Sequence, residues 1–264
     1  MTSGAIRVGV NGAGGRMGSV ACAAIAADPE LELVAAVGSR TAGEVRSGVT
    51  IKPELRSFAE AECDVVVDFT VADAARIALP WLAMHGIHAV VGTSGLGEAD
   101  IEELRHDFVQ GGANCVISPN FAISAVLMMR FAEIAAPFFD TAEVIEYHHD
   151  RKIDAPAGTA VITADRIAAA RGEVGWSPDP TEREVLAGTR GGRSDGPSGV
   201  PVHAVRMRGM VAHQDVLFGT TGQTLTIRQD SYDRESFMPG VLLACKRIAD
   251  HPGVTVGLDA LLGI

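Results

Sequence analysis

The chain has 264 residues, of which 47% are hydrophobic and 21% are charged. At about 150 residues per domain this length fits one large domain or two modest ones, and the apolar content excludes a disordered or fibrous chain. There are 33 acidic residues against 22 Lys and Arg, so the formal net charge is −11, and aromatic residues make up 5%. An acidic chain with few aromatic residues is poorly suited to nucleic acid, which requires a basic and stacking surface, or to an anionic membrane.

The cysteines give information about the compartment and about metal binding. They are Cys22, Cys63, Cys115 and Cys245, and no two of them form a CxxC pair. Single cysteines within apolar segments are typical of reduced core residues in a cytoplasmic protein, and they do not predict a zinc site. No apolar run reaches the roughly 20 residues of a membrane helix, and the N-terminus lacks a signal-peptide pattern. We therefore expect a soluble cytoplasmic protein without a bound metal.

The first half of the chain alternates short apolar runs with helical patterns. The predicted strands are residues 5–10, 31–37, 64–69, 88–92 and 113–117. The predicted helices are residues 16–27, 72–85 and 98–108. Alternating strands and helices indicate parallel strands joined by right-handed crossovers, so the sequence predicts an α/β sheet covered on both faces.

The second half groups its strands together. Helices are predicted at residues 123–136 and 158–170, a strand at 142–149, and a loop at 171–201. A loop of that length in a compact protein is usually a lid, a binding loop or an oligomer contact. Three further strands are predicted at residues 203–208, 213–219 and 224–230, followed by a last helix at 236–250 that could return to the first domain. Grouped strands favour an open, mostly antiparallel sheet, and Thr221-Gly222 predicts a hairpin turn between the last two.

A glycine-rich turn directly follows the first predicted strand. The sequence GVNGAGGRMG places Gly12, Gly15 and Gly18 in a GxxGxxG spacing. In a dinucleotide-binding turn the first glycine permits the bend, the second lets the backbone approach a pyrophosphate, and the third brings helix and strand together. The following helix directs its N–H groups at the phosphates. The pattern predicts nucleotide binding; the alternative is a glycine-rich turn without a ligand.

The end of the second predicted strand bears on the choice of nucleotide. An NAD site tends to have Asp or Glu there to bind the ribose 2′-hydroxyl. This chain has Gly38-Ser39-Arg40-Thr41 instead, without an acid. Ser39 and Arg40 suit a 2′-phosphate, which favours NADPH over NADH. The alternative is that Arg40 is a solvated arginine of the turn.

A cluster of cationic side chains lies at the end of the strand predicted at 142–149. The segment EYHHDRKIDAPAGTA, residues 146–160, contains His148, His149, Arg151 and Lys152. In an acidic protein such a cluster would attract an anionic, carboxylated substrate. Imidazole exchanges a proton near neutral pH, and a lysine beside other cations can have its pKa lowered enough to act as an acid, so both residue types suit acid catalysis.

The same segment contains a second anion-binding feature. Gly158 and Thr159 stand at the predicted start of a helix, where backbone N–H groups favour a carboxylate. The structural alternative is that the histidines cap a strand while the cations face water. A metal site is disfavoured, because adjacent histidines on a strand point to opposite faces.

Five motifs together resemble one enzyme family. They are GVNGAGGRMG, VVVDFT at residues 65–70, HAVVGTSG at 88–95, SPNFAI at 118–123, and EYHHDRKIDAPAGTA. The chain resembles the 4-hydroxy-tetrahydrodipicolinate reductase (dihydrodipicolinate reductase) family of bacterial diaminopimelate and lysine biosynthesis, along nearly its whole length. The last motif is the most specific, because Rossmann dehydrogenases in general do not share it.

The resemblance implies a fold and an activity. The fold is α/β, with a Rossmann dinucleotide-binding domain at residues 1–121 and 235–264. An α+β substrate-binding and oligomerisation domain at residues 122–234 has an open mixed sheet that assembles a homotetramer. The implied activity is NAD(P)H-dependent reduction of 4-hydroxy-tetrahydrodipicolinate, a cyclic dicarboxylate, to tetrahydrodipicolinate.

The resemblance also implies residue roles, position by position. The pyrophosphate is bound by Gly12, Ala13, Gly14, Gly15, Arg16 and Met17, and the adenosine ribose is faced by Gly38, Ser39 and Arg40. The nicotinamide is bordered by Gly92, Thr93, Ser94, Ser118, Pro119, Asn120 and Phe121. His148 is the proton donor and acceptor, Lys152 the proton donor, and the substrate carboxylates are held by His149, Gly158 and Thr159.

The chain departs from the family pattern at a few positions. Ala157 stands where the family commonly has Ser, which removes one hydroxyl contact to a carboxylate. Ser94 and Ser118 stand where the family often has Thr and Ala, respectively. The acidic residue that the family sometimes has at the position of Gly38 is absent, and its absence favours NADPH over NADH.

Two other functions remain open from the residues alone. One is another two-domain NAD(P)-dependent oxidoreductase, such as a semialdehyde or sugar dehydrogenase. The thiol nucleophile of a semialdehyde dehydrogenase would need a cysteine in an active-site turn, and Cys115 lies in a predicted strand instead. The other is a redox-sensing dinucleotide-binding protein without chemistry, which the intact His148 and Lys152 pair disfavours.

Overall fold

The computed structural model describes residues 4–193 and 199–264. The chain divides into two compact units. One contains the residues up to Ile123 together with Arg234–Ile264, and the other contains Ser124–Asp233. Within the loop predicted at 171–201, residues 194–198 lie outside the described residues.

The described residues form strands and helices in the following order along the chain. The strands are β1 (Ile6–Asn11), β2 (Leu31–Val37), β3 (Val45–Arg46), β4 (Val49–Lys52), β5 (Val65–Asp68), β6 (His88–Val91), β7 (Cys115–Ile117), β8 (Thr141–His148), β9 (Gly192–Arg193), β10 (Pro201–Arg206), β11 (Ala212–Thr220), β12 (Gln223–Ser231) and β13 (Val254–Val256). The helices are α1 (Arg16–Ala27), α2 (Arg56–Glu60), α3 (Ala72–Met84), α4 (Glu98–Gly111), α5 (Ile123–Ala135), α6 (Gly158–Arg171), α7 (Met238–Arg247) and α8 (Asp259–Leu262). Across residues 4–193 and 199–264, none of the helices has the length and apolar character needed to span a membrane.

The first unit contains an eight-stranded sheet in the order β13-β7-β6-β5-β1-β2-β4-β3. Every neighbouring pair is parallel except β3 and β4. Strand β5 (VVVD) is buried at each position, as expected of a parallel strand covered on both faces. Strand β2 follows β1 in the chain and lies on one side of it, whereas β5 lies on the other side. The direction in which successive strands are added to the sheet therefore reverses at β1. In open α/β sheets ligands bind at the carboxyl ends beside such a reversal.

The second unit is built on a five-stranded sheet in the order β12-β11-β8-β10-β9. Strands β8 and β10 are parallel, and the remaining neighbours are antiparallel, so the sheet is mixed. The pairing of Thr220 with Gln223 confirms the predicted two-residue turn at Thr221-Gly222. Helix α6 packs on β8 and β10 through buried Ala160, Ala164 and Ile167. The predicted α/β class, with a Rossmann-like sheet and a second mixed sheet, is confirmed.

The sequence prediction omitted several short elements. Strand β3 has two residues, too few to show an alternation, and β4 alternates over only four residues, of which Ile51 alone is buried. Strand β13 has three residues between Gly253 and Gly257, yet it pairs along its whole length with β7. The last predicted helix, 236–250, is three consecutive pieces: a 3₁₀ turn at Arg234–Phe237, helix α7, and a 3₁₀ turn at Ile248–Asp250.

Candidate active site

All the residues predicted to bind the cofactor lie at one edge of the parallel sheet. Residues 12–17 follow β1, Ser39 and Arg40 follow β2, residues 92–94 follow β6, and residues 118–121 follow β7. The carboxyl ends of parallel strands share an edge, so the topology brings together four segments that are far apart in sequence.

The glycine turn takes the form that a dinucleotide site requires. Gly12 has φ +80°, and a Cβ there would lie 2.8 Å from the carbonyl oxygen of Phe69. The N–H groups of Gly12 and Ala13 donate to the Val37 carbonyl at 2.9 and 3.0 Å, which holds the turn against β2. A Cβ on Gly18 would overlap the carbonyl oxygen of Gly12. The third glycine therefore brings α1 against the turn itself, whereas the motif alone predicted close packing against the strand.

The start of α1 has the character of an anion site. Gly15 is its N-cap residue, without a side-chain hydrogen bond to the helix, and the first turn contains no acidic residue. The first N–H groups of a helix have no intrahelical partner, and the helix dipole adds positive potential there. Gly15 and Arg16 are exposed, while Ala13 is buried. This arrangement fits the pyrophosphate of a dinucleotide.

The residues after β2 form a short 3₁₀ turn at Ser39–Thr41, in which Ser39 and Arg40 are exposed. A Cβ on Gly38 would lie 2.8 Å from Thr41 Oγ1, so an acidic side chain at position 38 would require Thr41 to move. Among residues 4–193 and 199–264, Arg40 makes no side-chain hydrogen bond or ion pair. Its guanidinium therefore remains available for a phosphate.

A buried carboxylate connects the ends of three strands. Asp68 is fully buried at the end of β5. It accepts hydrogen bonds from Asn11 Nδ2 at 2.8 Å, from Thr70 Oγ1 at 2.7 Å and from Thr93 Oγ1 at 2.6 Å. In the sequence alone, the motif VVVDFT is a landmark of the family resemblance and predicts no role for its aspartate. Its aspartate fixes Thr93, one of the residues predicted to border the nicotinamide.

The segment 118–121 is a rigid turn. Ser118 Oγ donates to the Asn120 carbonyl at 2.7 Å, and Asn120 Oδ1 accepts from the Ala122 N–H at 2.9 Å. The Phe121 ring is buried and meets the Phe69 ring edge-to-face, with centroids 6.3 Å apart. The side chain of Phe121 therefore stabilises the turn, and Pro119 is the exposed member of the segment.

The predicted substrate residues come together in the second unit. His148 is the last residue of β8, His149 and Lys152 lie in the loop that follows, and Gly158 and Thr159 begin α6. His149 lies beyond the strand, and its Nδ1 accepts the Arg151 N–H at 3.2 Å. Nε2 of His149 therefore bears the ring proton of the neutral form. No hydrogen bond occupies this nitrogen within residues 4–193 and 199–264, so it can donate to a carboxylate.

Lys152 is held by a neighbouring carboxylate. Its Nζ lies 2.8 Å from both Asp154 oxygens, and this hydrogen bond lowers the pKa of Asp154 below its ordinary value. Lys152 is 21% exposed and Asp154 is 57% exposed, so the pair lies at the surface. A substrate carboxylate would compete with Asp154 for the same ammonium group.

Two residues of this site were missed by the sequence analysis. Glu146 is 1% exposed, and its carboxylate lies 2.6 Å from His148 Nδ1. Arg206 on β10 donates to both Glu146 oxygens at 2.8 Å. Burial would raise the pKa of Glu146, but hydrogen bonds from Arg206 and His148 outweigh it and hold this pKa below its ordinary value. Glu146 is therefore an ionised carboxylate inside the protein.

The same neighbours set the ionisation of His148. Burial lowers its pKa, Glu146 raises it in part, and the positive charges of Lys152 and Arg206 lower it further. The net direction is below the ordinary value, so the imidazole is mainly neutral at neutral pH before a substrate binds. The carboxylates of a bound substrate would raise this pKa again.

The other histidines and the cysteines lie in different settings. His203 Nε2 pairs with Glu143 and His213 Nδ1 with Asp230, each at 2.7 Å. All four cysteines are buried, and burial raises the pKa of the Cys22 thiol to about 11. Buried, protonated thiols exclude the thiol nucleophile of a semialdehyde dehydrogenase. In the described part of the chain, no group of three or more His, Cys, Asp or Glu could hold a metal ion.

The position of Ala157 at the start of α6 indicates what restoring the family's serine would do. Ala157 is the buried N-cap residue of α6, and its own N–H donates to Glu146 at 3.0 Å. Serine at an N-cap accepts a backbone N–H and adds about 0.5–2 kcal/mol of stability over alanine. We therefore expect Ala157→Ser to raise the melting temperature.

The same hydroxyl could instead donate to a substrate carboxylate, which would lower the KM for the dicarboxylate several-fold. Thermal unfolding and steady-state kinetics on one preparation separate the two roles. A lower KM at an unchanged melting temperature would refute the capping role. Neither effect should alter the KM for NADPH.

Comparison with known proteins covers nearly the whole chain. Residues 6–121 match the family model "Dihydrodipicolinate reductase, N-terminus", and residues 124–262 match "Dihydrodipicolinate reductase, C-terminus". The 4-hydroxy-tetrahydrodipicolinate reductase of Corynebacterium urealyticum is 52% identical over 98% of this chain and 99% of its own length. That of Nocardia farcinica is 53% identical with the same coverage.

Solved structures give the same result. Dipicolinate-bound dihydrodipicolinate reductase from Paenisporosarcina sp. TG-14 has a TM-score of 0.87 and 35% identity, covering 97% of this chain and 99% of that one. An amine dehydrogenase from Mycobacterium smegmatis has a TM-score of 0.63 at 14% identity over 96% and 95% of the two chains, which shows a shared fold alone. The resemblance seen in the sequence is thus confirmed, and the chain belongs to the 4-hydroxy-tetrahydrodipicolinate (dihydrodipicolinate) reductase family of oxidoreductases.

Proposed function

We propose that this chain reduces 4-hydroxy-tetrahydrodipicolinate to tetrahydrodipicolinate with NADPH, in diaminopimelate and lysine biosynthesis. The observation that carries the proposal is the cationic site at the end of β8. His148, His149 and Lys152 lie there beside the start of α6. This site offers several partners for two carboxylates and two groups that exchange protons. Its sequence motif is also the most specific part of the family resemblance.

The cofactor is bound at the carboxyl edge of the first sheet. The pyrophosphate lies on the glycine turn and the start of α1, against residues 12–17. Ser39 and Arg40 receive the 2′-phosphate, which makes NADPH the preferred nucleotide. Two observations support this. The first turn of α1 contains no acidic residue, and the Arg40 side chain makes no hydrogen bond or ion pair among the described residues. Residues 92–94 and 118–121 border the nicotinamide.

The substrate is bound through its two carboxylates. His149 donates from Nε2, the α6 N-terminus offers the backbone N–H groups of Gly158 and Thr159, and Lys152 contributes its positive charge. Charge-assisted hydrogen bonds of this kind are roughly twice as strong as neutral ones. A cyclic dicarboxylate fits this donor set, and the related Paenisporosarcina reductase is described as dipicolinate-bound.

The chemistry follows from the arrangement of charges. When NADPH is bound, its nicotinamide supplies a hydride to an electron-poor carbon of the conjugated imine. Negative charge then builds on the ring, and the cationic Lys152 and protonated His148 stabilise it. One of these groups donates a proton to the ring, and a proton from solvent then returns that group to its cationic form. The conjugated imine forms when the 4-hydroxyl group leaves as water together with a hydrogen from the adjacent ring carbon, and relative to that imine the product has gained one hydride and one proton.

Substrate-dependent oxidation of NADPH, followed by absorbance, tests the proposal. We expect oxidation that requires both the enzyme and the cyclic dicarboxylate, with formation of tetrahydrodipicolinate. A protein that binds NADPH but does not oxidise it in the presence of this substrate would contradict the proposal. Oxidation supported by semialdehydes or sugars in place of the dicarboxylate would assign the chain to another dehydrogenase activity.

The proposal extends to assembly and location. The chain forms a homotetramer in the cytoplasm, through the open sheet of the second unit. Support comes from the family resemblance and from strand β12, which leaves Leu225 37% exposed on that sheet. Light scattering coupled to size-exclusion chromatography measures the mass directly. A monomer at micromolar concentration would contradict this part of the proposal.

A further inference from the structure

The carboxylate of Glu146 receives a complete set of hydrogen bonds. Its Oε1 accepts from Arg206 Nη2 at 2.8 Å and from the Ala157 N–H at 3.0 Å. Its Oε2 accepts from Arg206 Nη1 at 2.8 Å and lies 2.6 Å from His148 Nδ1. Glu146 stands two residues before His148 on β8, so the two side chains lie on the same face of the sheet.

These contacts determine which nitrogen of His148 carries a fixed proton. Guanidinium and backbone N–H groups only donate, so both Glu146 oxygens act as acceptors. The contact at Oε2 therefore requires a hydrogen on His148 Nδ1. Nε2 is left as the only ring nitrogen that can gain or lose a proton during the reaction.

We propose that Glu146 is the positioning residue for proton transfer in this enzyme: it fixes the tautomer and direction of the His148 ring and joins that ring to the N-cap of α6. The inference rests on the proposed function, since its consequence is delivery of a proton to the reduced substrate. In that step the proton leaves His148 Nε2 for a ring carbon. Solvent then returns a proton to Nε2, while Nδ1–H stays on His148 and Glu146 stays ionised.

The charges around His148 predict how the pH dependence of kcat changes when Glu146 is replaced. The imidazole is faced by Glu146 from β8, by Lys152 from the following loop and by Arg206 from β10, with Asp154 paired to Lys152. Of these groups, Glu146 alone favours the imidazolium directly. Replacing it with glutamine leaves the two cations, so the His148 pKa should fall. The alkaline limb of the kcat profile should then move to lower pH.

Glu146→Gln should also reverse the tautomer. An amide has one donor and one acceptor end, so it cannot serve four donors. When the amide oxygen of the glutamine accepts the Ala157 N–H, the amide NH₂ group faces His148 Nδ1. Nδ1 must then accept a hydrogen bond, so the ring proton moves to Nε2. Nitrogen NMR of ¹⁵N-histidine-labelled protein distinguishes these tautomers, and His148→Gln identifies the signal.

Glu143→Gln is a matched control. Glu143 lies on the same strand, 2.7 Å from His203 Nε2 and 2.7 Å from Arg190 Nη2, so it has the same carboxylate, histidine and arginine arrangement. It is three residues from Glu146 and points to the opposite face of the sheet. We expect Glu143→Gln to leave the His148 tautomer and kcat unchanged.

For Glu146→Gln we expect a kcat loss of about 10- to 100-fold, by analogy with the effect of removing the carboxylate that orients a metal-ligating histidine. The KM for NADPH should not change. Suppose that the wild type is active and that Glu146→Gln has the same kcat and the same pH profile. This result would overturn the inference and leave the proposed function intact. A His148 found as the Nε2–H tautomer in the wild-type protein would also overturn it, and that measurement does not depend on the folding of any variant. An inactive wild type would instead refute the proposed function.

Discussion

Lys152→Ala and His148→Ala are each expected to lower kcat by about 10²–10⁴-fold, the range for loss of a general acid. The NADPH affinity of both variants should remain nearly unchanged, because His148 and Lys152 lie in the second unit and the glycine turn lies in the first. Steady-state kinetics in both substrates, together with NADPH titration by fluorescence, measures the two quantities.

Arg208→Ala is the control for this experiment. The Arg208 side chain is 91% exposed and pairs with Asp150 at 2.9 Å, so the substitution removes a positive charge near the same loop without removing a proposed catalytic group. We expect its kcat to match the wild type. Wild-type kcat in Lys152→Ala or in His148→Ala would remove that residue from the proposed mechanism.

Arg40→Ala is expected to weaken NADPH and leave NADH nearly unaffected. A hydrogen bond to a charged group contributes about 1.5–3 kcal/mol, which corresponds to about 10- to 150-fold in affinity. NADH lacks the 2′-phosphate, so the same substitution removes nothing that binds it. Titration of both nucleotides against wild type and variant gives the two ratios.

Arg56→Ala is the matched substitution in the same unit. Arg56 is 71% exposed, belongs to α2, pairs with Glu60 and is not among the residues proposed to bind the nucleotide. It should affect neither nucleotide. An equal loss of NADPH and NADH affinity in Arg40→Ala would show that Arg40 stabilises the 3₁₀ turn at Ser39–Thr41, and that it does not bind the phosphate.

The elements that could be predicted from sequence are those with strong local patterns. The Val-rich β5, the Ala-rich α1 and the glycine turn between β1 and α1 agree with the expected bounds within one residue. The turn between β11 and β12 follows from Thr221-Gly222 alone. Strands β3 and β13 are too short to show a period of two, and β4 shows it over only four residues, so all three depend on pairing with neighbouring strands.

The candidate site was predictable only where its residues are consecutive. The motif at residues 146–160 contains His148, Lys152 and the start of α6, so one segment revealed them together. Arg206 lies 60 residues from Glu146 and reaches it because β8 and β10 are parallel neighbours that pair Arg206 with His148. No spacing in the sequence reports that register. Glu146 had one available signal, its position two residues before His148 on a strand.

Asp68 shows the same limit in the first unit. Its bond to Thr70 is local, but Asn11 and Thr93 lie 57 and 25 residues away. They meet because β1, β5 and β6 are adjacent and end at the same edge. A single aspartate at the end of an apolar strand gives no indication of such partners, so only the fold identifies it as a group that fixes the cofactor edge.

The central claim is that the chain transfers a hydride from NADPH to a cyclic dicarboxylate. NADPH deuterated at the transferable C4 position, incubated with the enzyme and 4-hydroxy-tetrahydrodipicolinate, tests it most directly by mass spectrometry of the product. The account predicts one deuterium in the tetrahydrodipicolinate ring for each NADPH oxidised. Product without deuterium, or oxidation of NADPH without a reduced ring, would contradict it.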